Sequence, residues 1–316
     1  MAGGSFPRLV LLLACSGVLS HEAESEATDV DGLALLTSRT RPHRAQRRGP
    51  RIPANILFNY KINLFESRLH GDDDDTELLR VLRKNCEHTV DSFGGDVAKV
   101  YFYDDKVCIA ELKNLEGFDG KRLAAGFKAF KNGRFKSDLC RLVQLYNHGG
   151  YYFDTDILPV RSVRKVLEEE TTFATSRSVF QNEIFQAFLA ATPKHPFIAE
   201  QLREFEQWLA EKHEEDEHVN LGCWLLQRSL ANWDHRVNDH PVVKKDSEVV
   251  RFFQEDNIEN LKGRYRGLLA GKAKWKECRV AVVDEAIEQV VMYSRVVTTN
   301  HHDVCTEELD ILDSEV

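Results

Sequence analysis

Two periods of hydrophobicity run along this chain, and the places where one gives way to the other mark its elements. After Ser137, Leu139, Leu142, Val143 and Tyr146 recur at i, i+3, i+4 and i+7, the spacing that lines one face of a helix. Ser137 is expected to cap that helix, and Gly149 stands where a left-handed residue would end it. Tyr151-Tyr152-Phe153 follows as a short buried strand, which stops at Asp154-Thr155-Asp156 and resumes at Ile157-Leu158-Pro159. Upstream, Asn55 to Tyr60 and Val97 to Tyr103 read as strands, and Thr76 to Thr89 reads as a helix through Leu78, Leu79, Leu82 and Cys86. Leu115 to Phe130 reads as helical or irregular. Downstream, Val163 to Glu170 is a short helix and Thr171 to Ser178 a strand or loop. Phe197 to Glu211 is a helix striped by Ile198, Leu202, Phe205 and Leu209, and Val280 to Val297 begins as a strand. Alternating strands and helices predict an α/β layer with a mostly parallel central sheet flanked by helices.

Composition narrows the class. At 316 residues with 42% apolar side chains, the chain can bury one large core or two small ones. A net charge of −9 argues against a nucleic-acid partner. The apolar run Leu9 to Leu19 is shorter than the ~20 residues a spanning helix needs, and fits the core of a secretory signal. A short signal-anchor is the rival reading and the sole membrane contact expected. The organisation expected is a signal over 1–20, an Arg/Pro-rich stem over 21–51, a folded domain over 52–305 and an acidic tail over 306–316. Six cysteines beyond the signal allow up to three disulfides, in any of 15 pairings, in an oxidising lumen.

The chemistry concentrates at Asp154 and Asp156. If the strand continues through them, both side chains point the same way and repel unless a cation lies between them. Oxygen ligands suit Mn²⁺ or Mg²⁺, which keep positions open for phosphate oxygens. Asp138 and Arg141, three residues apart, share the polar face of the preceding helix. A carboxylate for a ribose hydroxyl, a guanidinium for a phosphate and a metal on the diphosphate would together make a nucleotide-sugar site.

Ser137, Asp138, Arg141, Gly149, Gly150, Tyr152, Asp154 and Asp156 stand in the pattern S-D-x-x-R … G-G-x-Y-x-D-x-D. This resembles glycosyltransferase family 32 and the related DXD sugar-binding proteins, including the glucosyltransferase domains of the clostridial toxins. The resemblance implies a GT-A-like nucleotide-diphospho-sugar transferase fold and a retaining transfer from a UDP- or GDP-sugar to a glycan, glycoprotein or glycolipid in the Golgi lumen. It implies Asp154 and Asp156 as catalytic metal ligands. It sets Asn59 and Tyr60 at the end of the first strand beside the nucleotide, with Asp138, Arg141 and Tyr152. It puts Gln186 where the family has an asparagine near the donor sugar, and His301 or His302 as a third metal ligand. The segment from Gly222 to Trp233 resembles the floor of the acceptor cleft. Two other readings stand beside this one: an aspartyl-phosphate phosphatase, which Ile157 and Leu158 disfavour, and an inactive glycan-binding relative. A calcium loop fails, because Pro159 and Lys165 occupy the positions where it needs Gly and Glu.

Overall fold

The computed structural model describes residues 52–66, 74–180, 183–211, 220–257, 260–261 and 280–294. The chain divides into two units, Met1–Arg47 and Arg48–Val316, and every described residue belongs to the second. The expected signal, the stem, Asn182, Cys278, His301, His302, Cys305 and the acidic tail lie outside the described residues.

The strands are β1 (Asn55–Asn59), β2 (Lys99–Tyr103), β3 (Gly150–Phe153), β4 (Leu158–Pro159), β5 (Phe173–Arg177), β6 (Ile184–Ala191), β7 (Val242–Lys245), β8 (Glu248–Asn257), β9 (Val280–Asp284) and β10 (Gln289–Ser294). The helices are α1 (Asp74–Ser92), α2 (Asp105–Lys113), α3 (Gly120–Ala129), α4 (Gly133–His148), α5 (Val163–Val166), α6 (Pro196–Ala210) and α7 (Leu221–Trp233). Strand alternation sorts the core into two layers. Leu57 and Tyr152 pack toward α2, α3, α4, α6 and α7, whereas Ile56, Phe58, Tyr151 and Phe153 pack with Leu82 and Cys86 of α1. With helices on both faces, β1 and β3 carry no solvent-facing row, so Ile56–Phe58 and Tyr151–Phe153 read as unbroken apolar runs.

The strands form one sheet in the order β2-β1-β3-β6-β5-β8-β9-β10-β4, with β7 beside β8. The expectation of a mostly parallel sheet is corrected here. Three pairings are parallel (β1 with β2, β1 with β3, β5 with β8) and six are antiparallel, so the sheet is mixed. Short connections are the reason: β7 turns into β8 through Asp246, which has φ of 54°, and β9 into β10 through Glu288, which has φ of 52°. Such turns return a strand beside its predecessor, whereas parallel neighbours need a crossover.

The order also requires curl. Six lateral steps separate β3 from β4, about 29 Å in a flat sheet at ~4.8 Å per step. The five Cα–Cα steps from Phe153 to Leu158 reach at most ~18 Å. The sheet therefore bends until its last edge meets the segment containing Asp154 and Asp156. One local expectation also changes. Asn132, not Ser137, caps α4 by accepting from the Arg134 N–H, which places Ser137 inside the helix. Asp104, just after β2, caps α2 by accepting from the N–H groups of Lys106 and Val107. Gly149 does end α4, with φ of 58°.

Candidate functional site

The ends of β1 and β3, the start of β6, the first turns of α4 and the N-terminus of α7 surround a cavity of about 670 Å³. Asp154 and Asp156 both line it, as do Asn59, Tyr60, Asp138, Arg141 and Gln186. The two aspartates share the cavity for a reason other than the one their spacing suggested. Asp154 to Ile157 is a turn, closed by the Ile157 N–H donating to Asp154 O at 3.1 Å, so strand pleating does not align them. The turn is anchored from both sides. The Asp154 N–H donates to Ala187 O (2.8 Å), and buried Asn85 of α1 donates through Nδ2 to Thr155 O (2.8 Å) and Ile157 O (2.6 Å).

Ser137 is the hub behind the wall. Its Oγ donates to Asn59 Oδ1 (2.8 Å), accepts from Arg141 Nη2 (2.9 Å) and lies 3.2 Å from the Tyr152 hydroxyl. Tyr152 donates in turn to Asp154 Oδ1 at 2.5 Å. Fully buried, Tyr152 does not itself line the cavity and reaches it through Asp154. The Arg141 side chain is 5% exposed. Its Nη2 lies 3.3 Å from Asp138 Oδ1 and 3.2 Å from Asp154 Oδ1, and its Nη1 donates to Gln186 O at 2.6 Å. One guanidinium thus compensates two carboxylates that would otherwise repel.

Burial sets the ionisation of this group. It pushes the Asp138 carboxyl up to about 6, because desolvation outweighs the attraction of Arg141, and the nearby Asp154 charge adds to the rise. For Arg141 burial opposes the charge, but Asp154, Tyr152 and Asp138 more than offset it and its pKa is raised. Burial also raises the Tyr152 hydroxyl, which stays protonated and able to donate.

The N-terminus of α7 closes the site. The Gly222 N–H donates to Asp138 Oδ2 at 3.3 Å, and Gly222 O accepts from Gln186 Nε2 (2.7 Å) and Gln201 Nε2 (3.0 Å). A Cβ on Gly222 would stand 2.5 Å from Gln186 Oε1 and 2.6 Å from Asp138 Cγ. Glycine is required by close approach here, with no demand on φ. Cys223, beside it, is a free thiol whose pKa is raised by burial and then by Asp138. Cys108 of α2 and Cys140 of α4 form a disulfide along the same cavity.

The residues expected from the sequence, apart from His301 and His302, therefore gather at one cavity or directly behind it. Asn85, Phe180, Glu183, Glu255 and the contact role of Gly222 were not anticipated. Asn85 did carry a signal, as an amide in the interior of an amphipathic helix, where it disfavours the helix unless it bonds elsewhere. Glu255 carried none, because β8 approaches the site only through the curl of the sheet. Among the described residues no group of three or more His, Cys, Asp or Glu side chains is arranged to hold a metal. The donor set still fits a hard divalent cation: two carboxylates on one turn face one cavity, and Tyr152 and Arg141 engage only Oδ1 of Asp154.

Part of the chain matches known proteins. Residues 81–174 match the family described as "Glycosyltransferase sugar-binding region containing DXD motif". The chain is 33% identical over 103 residues to the human protein named "Alpha-1,4-N-acetylglucosaminyltransferase", an alignment covering 31% of this chain and 25% of the relative. The chain thus spans about a quarter of the length of that curated relative. Among solved structures, "PaToxG Glycosyltransferase" aligns at 13% identity and a TM-score of 0.40, covering 59% of this chain and 70% of that one. The UDP-bound glycosyltransferase domain from the YGT toxin aligns at 14% identity and a TM-score of 0.26, covering 52% and 47%. The resemblance read between Ser137 and Asp156 holds: the stretch 81–174, which contains α4, β3 and the Asp154–Asp156 turn, is a match to the glycosyltransferase sugar-binding region that carries the DXD motif.

Proposed function

We propose that this unit is a metal-dependent, retaining glycosyltransferase. It moves a hexose or N-acetylhexosamine from a UDP- or GDP-sugar to a glycan, glycoprotein or glycolipid in the lumen of the secretory pathway. The observation that carries the reading is the Ser137-centred network, which locks Asp138, Arg141 and Asp154 together on the wall of a cavity that Asp156 also lines. A volume of about 670 Å³ lies within the ~300–1,000 Å³ of small-molecule sites. The name of the human relative supports an N-acetylhexosamine among the donors to be screened. The Cys108–Cys140 disulfide supports an oxidising compartment. No helix among the described residues is long and apolar enough to cross a membrane.

Asp154 and Asp156 would hold Mn²⁺ or Mg²⁺, which when bound neutralises the diphosphate leaving group. Asp138, as carboxylate, accepts from a ribose or sugar hydroxyl. Arg141 keeps Asp138 and Asp154 charged side by side and adds positive potential where the diphosphate sits. Tyr60 offers its ring to the base and Asn59 its amide to the nucleotide. Gln186 meets the transferred sugar. Retention requires the acceptor hydroxyl to approach from the face the diphosphate leaves, and the departing diphosphate oxygen takes its proton. His301 and His302 remain candidates for a third ligand, outside the described residues.

The test is hydrolysis of UDP- and GDP-sugars by residues 48–316 with Mn²⁺. Turnover should vanish with EDTA and in Asp156→Asn while the melting temperature holds within ~2 °C. Metal-independent turnover, or phosphomonoester hydrolysis without sugar release, overturns the reading.

A further inference from the structure

Asp154 uses its two oxygens unequally. Oδ1 accepts from the Tyr152 hydroxyl at 2.5 Å and lies 3.2 Å from Arg141 Nη2, while Oδ2 has no hydrogen-bond or ion-pair partner among the described residues. A carboxylate oxygen has two lone pairs, so both positions on Oδ1 are taken from behind and both on Oδ2 stay open. The Asp154 side chain is 27% exposed and lines the cavity, whereas Tyr152 is fully buried and does not. The hydroxyl therefore meets a ligand only through the aspartate it holds.

The direction of that bond is fixed by the network behind it. Asn59 Nδ2 donates to the backbone carbonyl of Ser137 at 3.3 Å, and a carbonyl can only accept. Asn59 Oδ1 is thereby turned to Ser137 Oγ, which gives it its single proton at 2.8 Å. Arg141 Nη2 donates to the same Oγ at 2.9 Å. The 3.2 Å contact between Ser137 and Tyr152 thus receives no proton from Ser137, and the Tyr152 proton has Asp154 Oδ1 as its near acceptor. Tyr152 is the donor in a bond that the charge of the carboxylate strengthens. Its ring is held as firmly as its hydroxyl, with the Arg141 guanidinium carbon 4.9 Å from the ring centroid.

The number of oxygens a carboxylate can offer sets which ion it prefers. Ca²⁺ takes ~6–8 oxygens in loose geometry and is readily gripped by both oxygens of one carboxylate. Mg²⁺ and Mn²⁺ favour octahedral sites, in which a carboxylate supplies a single oxygen and waters or phosphate oxygens fill the rest. We propose that Tyr152 is a positioning residue for the metal. By occupying Oδ1 it makes Asp154 a one-oxygen ligand, and so selects Mn²⁺ over Ca²⁺. Tyr152 thereby acts on the ion through Asp154, with no contact of its own to the nucleotide-sugar. This rests on the metal-dependent reading proposed above.

The experiment uses the full chain with Mn²⁺ as the probe, bound ion being read from loss of the free-ion EPR signal, with and without UDP. Wild type should bind Mn²⁺ and keep most of it against an equal concentration of Ca²⁺, a result that needs no variant to fold. In Tyr152→Phe, which retains the buried ring, the Ca²⁺ concentration that displaces half of the Mn²⁺ should fall about tenfold, the scale of one hydrogen bond to a charged group. Ser137→Ala removes the hub but leaves the bond from Tyr152 to Asp154, so its displacement midpoint should stay at the wild-type value. An unchanged midpoint in Tyr152→Phe, an equal shift in Ser137→Ala, or loss of Mn²⁺ from wild type to equimolar Ca²⁺ overturns the role of Tyr152 while Mn²⁺ binding stands. Failure of wild type to bind Mn²⁺, with or without UDP, overturns the metal-dependent reading, and the role of Tyr152 with it.

Discussion

Gly222→Ala sets two opposing effects of known size against each other. In a helix interior, replacing glycine by alanine stabilises by about 1 kcal/mol, an upper bound for Gly222, the second residue of α7. The new Cβ, however, would lie 2.5 Å from Gln186 Oε1, 2.6 Å from Asp138 Cγ and 2.7 Å from Asp138 Oδ2. None of these is the free end of a mobile side chain. Asp138 is held by Arg141 and by the Gly222 N–H, and Gln186 is held by Gly222 O. Overpacking of this kind costs ~1–3 kcal/mol. The balance is a net loss of about 1 kcal/mol, or ~2–4 °C in melting temperature for a unit of this size. The larger effect is on chemistry. Moving Asp138 by about 1 Å is expected to lower Mn²⁺-dependent turnover by ~10²-fold. Thermal melts and donor hydrolysis read the two effects separately. A combined Gly222→Ala, Gln186→Ala protein should regain part of the lost stability, since the nearest contact is then gone. A melting temperature that rises with turnover unchanged, as helix propensity alone requires, would refute the reasoning.

Further outcomes follow from the same contacts. Asp138 titrates near 6, above its unfolded value of 3.8, so its contribution to stability is full below about pH 4 and is lost as pH rises through about 6. Asp138→Asn should flatten the melting temperature between pH 4 and 6; an unaltered pH profile counts against a buried, desolvated carboxyl. Asn85→Ala leaves Thr155 O and Ile157 O without their buried donor and should cost ~1–3 kcal/mol in urea unfolding, with loss of Mn²⁺-dependent turnover. Reducing Cys108–Cys140, whose cysteines are 32 residues apart, releases a constraint worth about 4 kcal/mol in the chain-entropy account. Dithiothreitol should therefore lower the melting temperature of wild type and leave that of Cys108→Ser/Cys140→Ser unchanged.

The local code of this protein is written in neighbouring residues. Leu139, Leu142, Val143 and Tyr146 define the face of α4, Gly149 ends it, and the aromatic run of β3 follows, because helix and strand periods depend on positions only a few residues apart. The pairing of Asp138 with Arg141 was legible for the same reason, whereas Asp154 and Asp156 share the cavity through a turn that the strand period does not describe. The tertiary structure alone decided the rest. Ser137 looked like a cap and became a hub, because Asn59 and Tyr152 arrive from β1 and β3. The aspartates share a cavity through a turn that Asn85 clamps from α1, seventy residues earlier in the chain by the separation to Thr155. Glu255 and Phe180 meet the site because a mixed sheet curls until distant strands converge on it. Contacts of that kind depend on how far the sheet bends, a property of the assembled layers that no short stretch of residues carries.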